Sequence, residues 1–330
     1  MRIAEINDIA SVASELAEGL RARGHEVTFI QPRLLGARLH WAIKGLVGPV
    51  RALEWFQLAR RLRRGNYDLA HIHYAYMGIV GVLGRFPYIL HCHGGDIRDP
   101  TLFTGWIKEK ALRQAARVFY ATPDLGPAVL ARRPDAEFMP NPIDTVAFAP
   151  LSPAAASPEV YIACSLDDIK GASEILAACR SLAKVRPDIR FTAIAGAPYT
   201  SRFAALPNVR VIRHRPRAAL PAQICRHGVV VGQVFLGAVG MAELEAMSCG
   251  RPVITHFEYG HAYPEPPPFI QARTAGDIAR EIARLVDDPE LRRDLGEKGR
   301  AWIERHHALD RIAARVEQAA QAVLLQGRSA

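Results

Sequence analysis

Short runs of β-branched and aromatic residues alternate along the chain with longer stretches whose apolar residues recur every three or four positions. RIAEI at the start is followed by a helix-period stretch from Ser11 to Arg23, then Gly24 and the strand HEVTFIQ. Further on come DLAHIH, an apolar helix around Met77 to Leu83, YILHCH, a helix near Ile107 to Ala116, and RVFYA. Period-two or continuous apolar runs separated by helical ones predict βαβ units and a parallel sheet. Right-handed crossovers place the helices on both faces.

PNPIDTVAFAPLSPAAASP, around residues 140 to 158, has no period and is rich in Pro and Ala, which predicts a domain junction. The alternation then restarts with VYIAC, a helix from Ala172 to Lys184, RFTAIAG, VRVIR, ALPAQICR, GVVVGQ, GMAELEAMS and PVIT. Three helices follow, over roughly Ala275 to Asp287, Pro289 to Arg305 and Leu309 to Leu325. The expected architecture is α/β, with two Rossmann-like doubly wound domains facing each other across a cleft. A first domain spans 1–150, a second 151–307, and a final helix, 308–330, returns toward the first domain. In such sheets ligands bind beyond the carboxyl ends of the strands.

Composition narrows the class. A length of 330 residues suits two cores, and 49% apolar residues with no low-complexity tract predict a folded chain. The five cysteines are scattered without CxxC spacing, so reduced, mostly buried thiols are expected. No basic segment followed by an apolar stretch opens the chain, and a cytoplasmic protein is the expectation. The net charge of +9 is concentrated: between Gln31 and Asn66 stand eight Lys/Arg and one acid, Glu54. Such an excess asks for an acidic partner.

The clearest candidate site is GQVFLGAVGMAELEAMSCGRPVI. A buried strand runs into Gly237 and Gly240 and then into a helix opening at Met241, whose free N–H groups and dipole suit an anion. Glu245, one turn in, is placed to accept from two ribose hydroxyls. By itself a lone glutamate on a helix is usually solvated; the surrounding pattern reverses that preference.

Here EAMSCGRPVI resembles a segment of family four of the GT-B glycosyltransferases, in which the Glu binds the nucleotide ribose. SLDDIKG resembles the family's turn that supplies a Lys to the donor diphosphate, falling on Lys170. PYILHCHGGDIR resembles the strand and loop ending in HG-x-D, whose His, beside the transferred sugar, falls on His93. ATPDL, PNPIDTVAFAP and LVDDPELRRDLGEKGRAWIERHH continue the likeness in order. The resemblance implies a retaining transferase that uses a nucleoside-diphosphate sugar as donor substrate and needs no cofactor or metal. The implied acceptor is a glycan, lipid or small molecule held by an N-terminal acceptor domain, 1–150, and the implied nucleotide-sugar donor domain is 151–307.

Some positions depart from that pattern. The family's second Glu, eight residues before the ribose Glu, is replaced by Gly237, and an Arg five residues before the Lys by Ser165. Gln233, Gly237 and Gly240 fit a remodelled donor loop, with Arg213, Arg215 and Arg217 as candidate replacement cations. Two glycines expected after the first strand are replaced in the run Asp8, Ile9, Ala10, Ser11, where Ser11 is the expected helix cap. Asp96 and Arg98 are assigned to holding the loop or the imidazole, with a loop salt bridge of small worth as the simpler reading.

His71 and His73 share one strand face, as do His91 and His93. Such pairs on adjacent strands can bind a metal, but no paired Asp/Glu is evident, so no metal is expected. Residues 33–64 interleave Trp41, Trp55, Phe56 and leucines with basic residues. That suits either a peripheral helix on an anionic membrane or a core-facing helix with a basic outer side. No nucleic-acid module is present. The rival functions are a GT-B epimerase, a non-catalytic nucleotide-sugar-binding relative, and a nicotinamide dehydrogenase, the last disfavoured because no GxGxxG follows the first strand.

Overall fold

The computed structural model describes residues 1–32, 48–98, 102–151 and 158–328. The chain divides into two compact units, Met1–Pro142 with Leu309–Ala330, and Ile143–Ala308.

The first unit carries a six-stranded sheet in the order β2-β1-β3-β4-β5-β6. Its strands are β1 (Arg2–Ile6), β2 (Glu26–Ile30), β3 (Leu69–His73), β4 (Tyr88–Cys92), β5 (Arg117–Tyr120) and β6 (Glu137–Phe138). Every pairing is parallel, and His73 of β3 lies opposite His91 of β4. The order reverses between β1 and β3, where a doubly wound sheet opens a crevice. β3 and β4 are buried along their whole length, as strands covered on both faces must be.

The last helix of the chain, Leu309–Arg328, belongs to this first unit. It packs on helix Val12–Ala22: the site of a Gly19 side chain is filled by Ala313 and Leu309, and Glu317 pairs with Arg23 at 2.6 Å and His25 at 2.9 Å. Helix Gly48–Arg64 buries Ala59 and Leu62 and packs Trp55 and Leu58 on the core. The opposite side exposes Val50, Leu53 and Phe56. Residues 33–47 of the expected membrane stretch, including Trp41, lie outside the described residues.

The second unit has the strand order β12-β11-β10-β7-β8-β9, again all parallel. β7 is Val160–Ile162, β8 Phe191–Ile194, β9 Val209–Ile212, β10 Val229–Val231, β11 Val253–Thr255 and β12 Ile270–Gln271. This is the doubly wound order with its switch point between β7 and β10. Helices Ala275–Asp287 and Pro289–His306 are capped by Thr274 and Asp288, whose side chains accept from Asp277 N–H and Leu291 N–H. All five cysteines are buried thiols outside any disulfide.

The two-residue edge strands β6 and β12 and the five-residue helices Gly94–Arg98, Gly126–Leu130 and Thr200–Ala204 were not expected. Elements this short hold too few residues to display a period.

Candidate functional site

In the second unit the expected residues gather at the switch point. Beyond β7, Ser165 is exposed, and the turn Asp168–Lys170 is closed by the Asp167 carboxylate accepting from Lys170 N–H at 3.1 Å. The turn is stitched to the loop after β10, because Val234 N–H donates to Lys170 C=O at 3.0 Å.

Gln233 organises that second loop. Its amide nitrogen donates to Ala238 C=O and His256 C=O, both at 2.7 Å, and its amide oxygen accepts from Leu236 N–H at 2.6 Å. Gly240 caps helix Met241–Ser248, and the buried Glu243 accepts from Gly240 N–H at 3.0 Å and Gln233 N–H at 2.9 Å. The first turn of the helix therefore already holds one carboxylate. Met241, half-buried, opens that turn, whose N–H groups lack acceptors within the helix.

Glu245 is buried at 3% exposure, and burial raises its carboxyl above the usual range against the pull of Arg217. The Arg217 guanidinium bonds it at 2.5 Å and lies over the Phe148 ring at 4.8 Å. Arg217, expected as a cation for the diphosphate, is thus spent on Glu245, since a buried carboxylate calls for a partner. Arg213 and Arg215 are exposed.

Gly237 has φ 72°, and a side chain there would begin 3.1 Å from Glu258 Oε2. Glu258 N–H also donates to Gly237 C=O at 3.0 Å, and His256 Nε2 meets Glu258 Oε1 at 2.8 Å. A carboxylate from a later loop therefore stands against position 237. Its sequence position gave no signal of this.

In the first unit the loop after β1 takes an unusual path. Asn7, Ala10 and Ser11 have φ of 70°, 50° and 68°, a region costly for any residue with a Cβ. Ser11 does not cap the helix. In that conformation its hydroxyl makes no cap bond, and Asp8 takes the role. Asp8 Oδ1 accepts from Ala13 N–H at 3.1 Å, and Oδ2 accepts from the Ser14 hydroxyl at 2.7 Å. The half-buried Ile9 closes the turn by accepting from Val12 N–H at 3.0 Å.

His93 follows β4. Asp96 accepts from His93 N–H at 2.9 Å and Ala75 N–H at 2.5 Å, tying the loops after β4 and β3 together. Burial pushes the Asp96 carboxyl up to about 7, against three backbone N–H bonds that lower it. Arg98 pairs with Asp124 at 2.5 Å and lies where a Gly94 side chain would be, which accounts for glycine there.

The four histidines form one cluster with Glu5, which the sequence reading did not connect to them. Glu5 Oε1 meets His71 Nδ1 at 2.9 Å, and Oε2 meets His73 Nε2 at 3.0 Å. His73 Nδ1 meets His93 Nε2 at 2.9 Å, and the His91 ring stacks 4.7 Å from that of His93. Burial favours the neutral carboxyl of Glu5, but attraction to His71 and the hydrogen bonds from both rings hold it at about 2. Burial also lowers His73, His91 and His93. Ring nitrogens of His71, His73 and His91 lie within 4.8 Å of one another, a grouping able to hold a cation. As it stands, His73 has both nitrogens in hydrogen bonds, while His71 Nε2 and both nitrogens of His91 have no hydrogen-bond partner. β1 and β3 are neighbours by topology, yet Glu5 sits inside an apolar-looking strand, so only alternation on β1 hinted at it.

Residues 9–147 match the model of Glycosyltransferase Family 4, and residues 174–318 match a Glycosyl transferase-like model. No curated protein matches the chain by sequence. Among solved structures, sucrose-phosphate synthase from Thermosynechococcus elongatus superposes with a TM-score of 0.76 at 18% identity, over 99% of this chain and 100% of that one. Anabaena HepE in complex with UDP gives 0.71 at 14%, over 97% and 99%. AviGT4, a glycosyltransferase involved in avilamycin A biosynthesis, gives 0.65 at 16%, over 98% of each. The two all-parallel doubly wound sheets and these superpositions show the GT-B fold, and two glycosyltransferase models match separate stretches of the chain.

Proposed function

We propose that this chain is a glycosyltransferase that moves a sugar from a nucleoside diphosphate to an acceptor hydroxyl with retention of configuration and without a metal. One observation carries the reading: Lys170, the Gln233–Gly240 loop, the start of the Met241 helix and Glu245 converge at the carboxyl ends of β7 and β10. Lys170 and the helix start offset the charge of the leaving diphosphate, which is electrostatic stabilisation of the transition state. Glu245 binds the ribose once Arg217 yields, and His93 orients the sugar. Glu258 supplies, from the opposite loop, the carboxylate that Gly237 lacks. HepE was solved with UDP, so UDP-sugars head the donor screen.

Incubation with a panel of nucleotide sugars tests this. A donor that raises the melting temperature and releases nucleoside diphosphate with an acceptor supports transfer. Conversion of the sugar without acceptor favours an epimerase, and binding without turnover a non-catalytic relative.

A lipid-linked acceptor at an anionic surface is a second reading, favoured by helix Gly48–Arg64. Its outer side joins exposed Val50, Leu53 and Phe56 to Arg60, Arg63 and Arg64, and a cavity of about 410 Å³ is lined by Phe56, Ala59, those three arginines and Leu83. Apolar area with surface cations worth about 1 kcal/mol each suits anionic lipid. Among the described residues, no helix is long and apolar enough to cross a membrane. Phosphatidylglycerol vesicles should sediment the protein, and Arg60→Glu with Arg64→Glu should release it; unchanged binding by the variant sinks this reading.

A further inference from the structure

Glu5 lies one residue from the carboxyl end of β1 with no exposed surface, and its two oxygens face two imidazoles. The bonds from it fix where protons sit. A carboxylate can only accept, so the nitrogen of His73 that meets Oε2 must be Nε2–H. A neutral ring carries one proton, which leaves His73 Nδ1 bare. His93 Nε2, 2.9 Å away, must then be the donor. Neutral in its turn, His93 is left with a bare Nδ1. His71, His73 and His91 are wholly buried, and His93 alone of the four retains exposure, 4%, so it is where this chain of bonds can reach a ligand.

We propose that Glu5 is a positioning residue that, through His73, locks His93 in the Nε2–H tautomer and presents its Nδ1 as an acceptor for a sugar hydroxyl. The role of Nδ1 rests on the reading that His93 faces the donor sugar; the lock itself does not. A bare nitrogen attracts a hydroxyl proton and repels a phosphate oxygen, so the site selects a neutral hydroxyl-bearing group over the anionic part of the donor. The arrangement resembles in logic any carboxylate that orients a histidine through its far nitrogen, with one extra imidazole inserted.

Nitrogen-15 spectra of histidine-labelled protein, assigned with His73→Phe and His93→Phe, read each ring directly. The wild-type protein should show protons on Nε2 of both His73 and His93. A proton on His93 Nδ1 overturns the proposal, and this arm needs no Glu5 variant to fold. Glu5→Leu should dissolve the single tautomer of His93 and lower kcat about 10- to 100-fold, with a smaller change in donor KM. Glu5→Gln should fall between, because one amide oxygen serves two rings. A His93 signal unchanged in Glu5→Leu also overturns the lock. A shifted tautomer with undiminished transfer keeps the lock and instead removes His93 from the sugar, which is the failure of the functional reading.

Discussion

The two units solve the same problem, a polar site at the carboxyl ends of a parallel sheet, with different materials. The second unit uses main chain: Gly237, Gly240, the Lys170 turn and a helix start, held by Gln233 and Glu243. The first unit uses buried side chains, Glu5, His71, His73 and His91 from three strands with His93 just past the third, and a loop that holds Ala10 and Ser11 in a conformation suited to glycine. Main-chain sites tolerate exchange of the surrounding side chains. A buried polar network does not, since removing one member strands the others.

That contrast can be broken most sharply at Lys170. Lys170→Met should lower kcat about 100- to 1000-fold, as loss of a group that stabilises transition-state charge does, with the fold intact by circular dichroism. Little change would remove the second unit's site from the chemistry.

Next in size is the pH dependence of stability, which the first unit should dominate. Glu5 is held at about 2 in the folded protein against 4.5 unfolded, so its contribution is complete above pH 4.5 and is lost as pH falls toward 2. At 1.36 kcal/mol per unit the loss is about 3 kcal/mol. Asp96 has the opposite sign: raised to about 7 from 3.8, it contributes below pH 4 and the contribution is lost as pH rises through 7. Urea unfolding at a series of pH values should flatten on the acid side in Glu5→Gln and on the neutral side in Asp96→Asn.

Gly237→Ala should destabilise by about 1 kcal/mol from its positive φ and also raise donor KM, because the methyl presses on Glu258. Smallest, Ala10→Gly should stabilise by about 0.5–1 kcal/mol in urea titration, relief from the left-handed backbone exceeding the added unfolded-state entropy. A destabilised Ala10→Gly would mean that the Cβ packs usefully despite its φ.

Legibility in the sequence follows the same division. The long elements were readable because a helix such as Ala275–Asp287 shows its period over many residues, and the glycine loop before Met241 was readable because punctuation residues carry it. Glu5 was not, because its partners stand 66 and 68 positions away and meet it only through strand order. Glu258 was hidden for the same reason, its meaning coming from a glycine 21 positions earlier. The capping by Asp8 rather than Ser11 depended on φ values that residue type argues against.

The placement of helix Leu309–Arg328 has a consequence for synthesis of the chain. The second unit is a continuous segment, Ile143–Ala308, and all of it is synthesised before the first unit has its last helix. Until Ala313 and Glu317 are made, the face of Val12–Ala22 around Gly19 stays open to solvent and Arg23 and His25 lack their carboxylate. The half that is translated first is therefore completed last, and a chain truncated after residue 308 should present a finished second unit and a first unit still exposed to proteases.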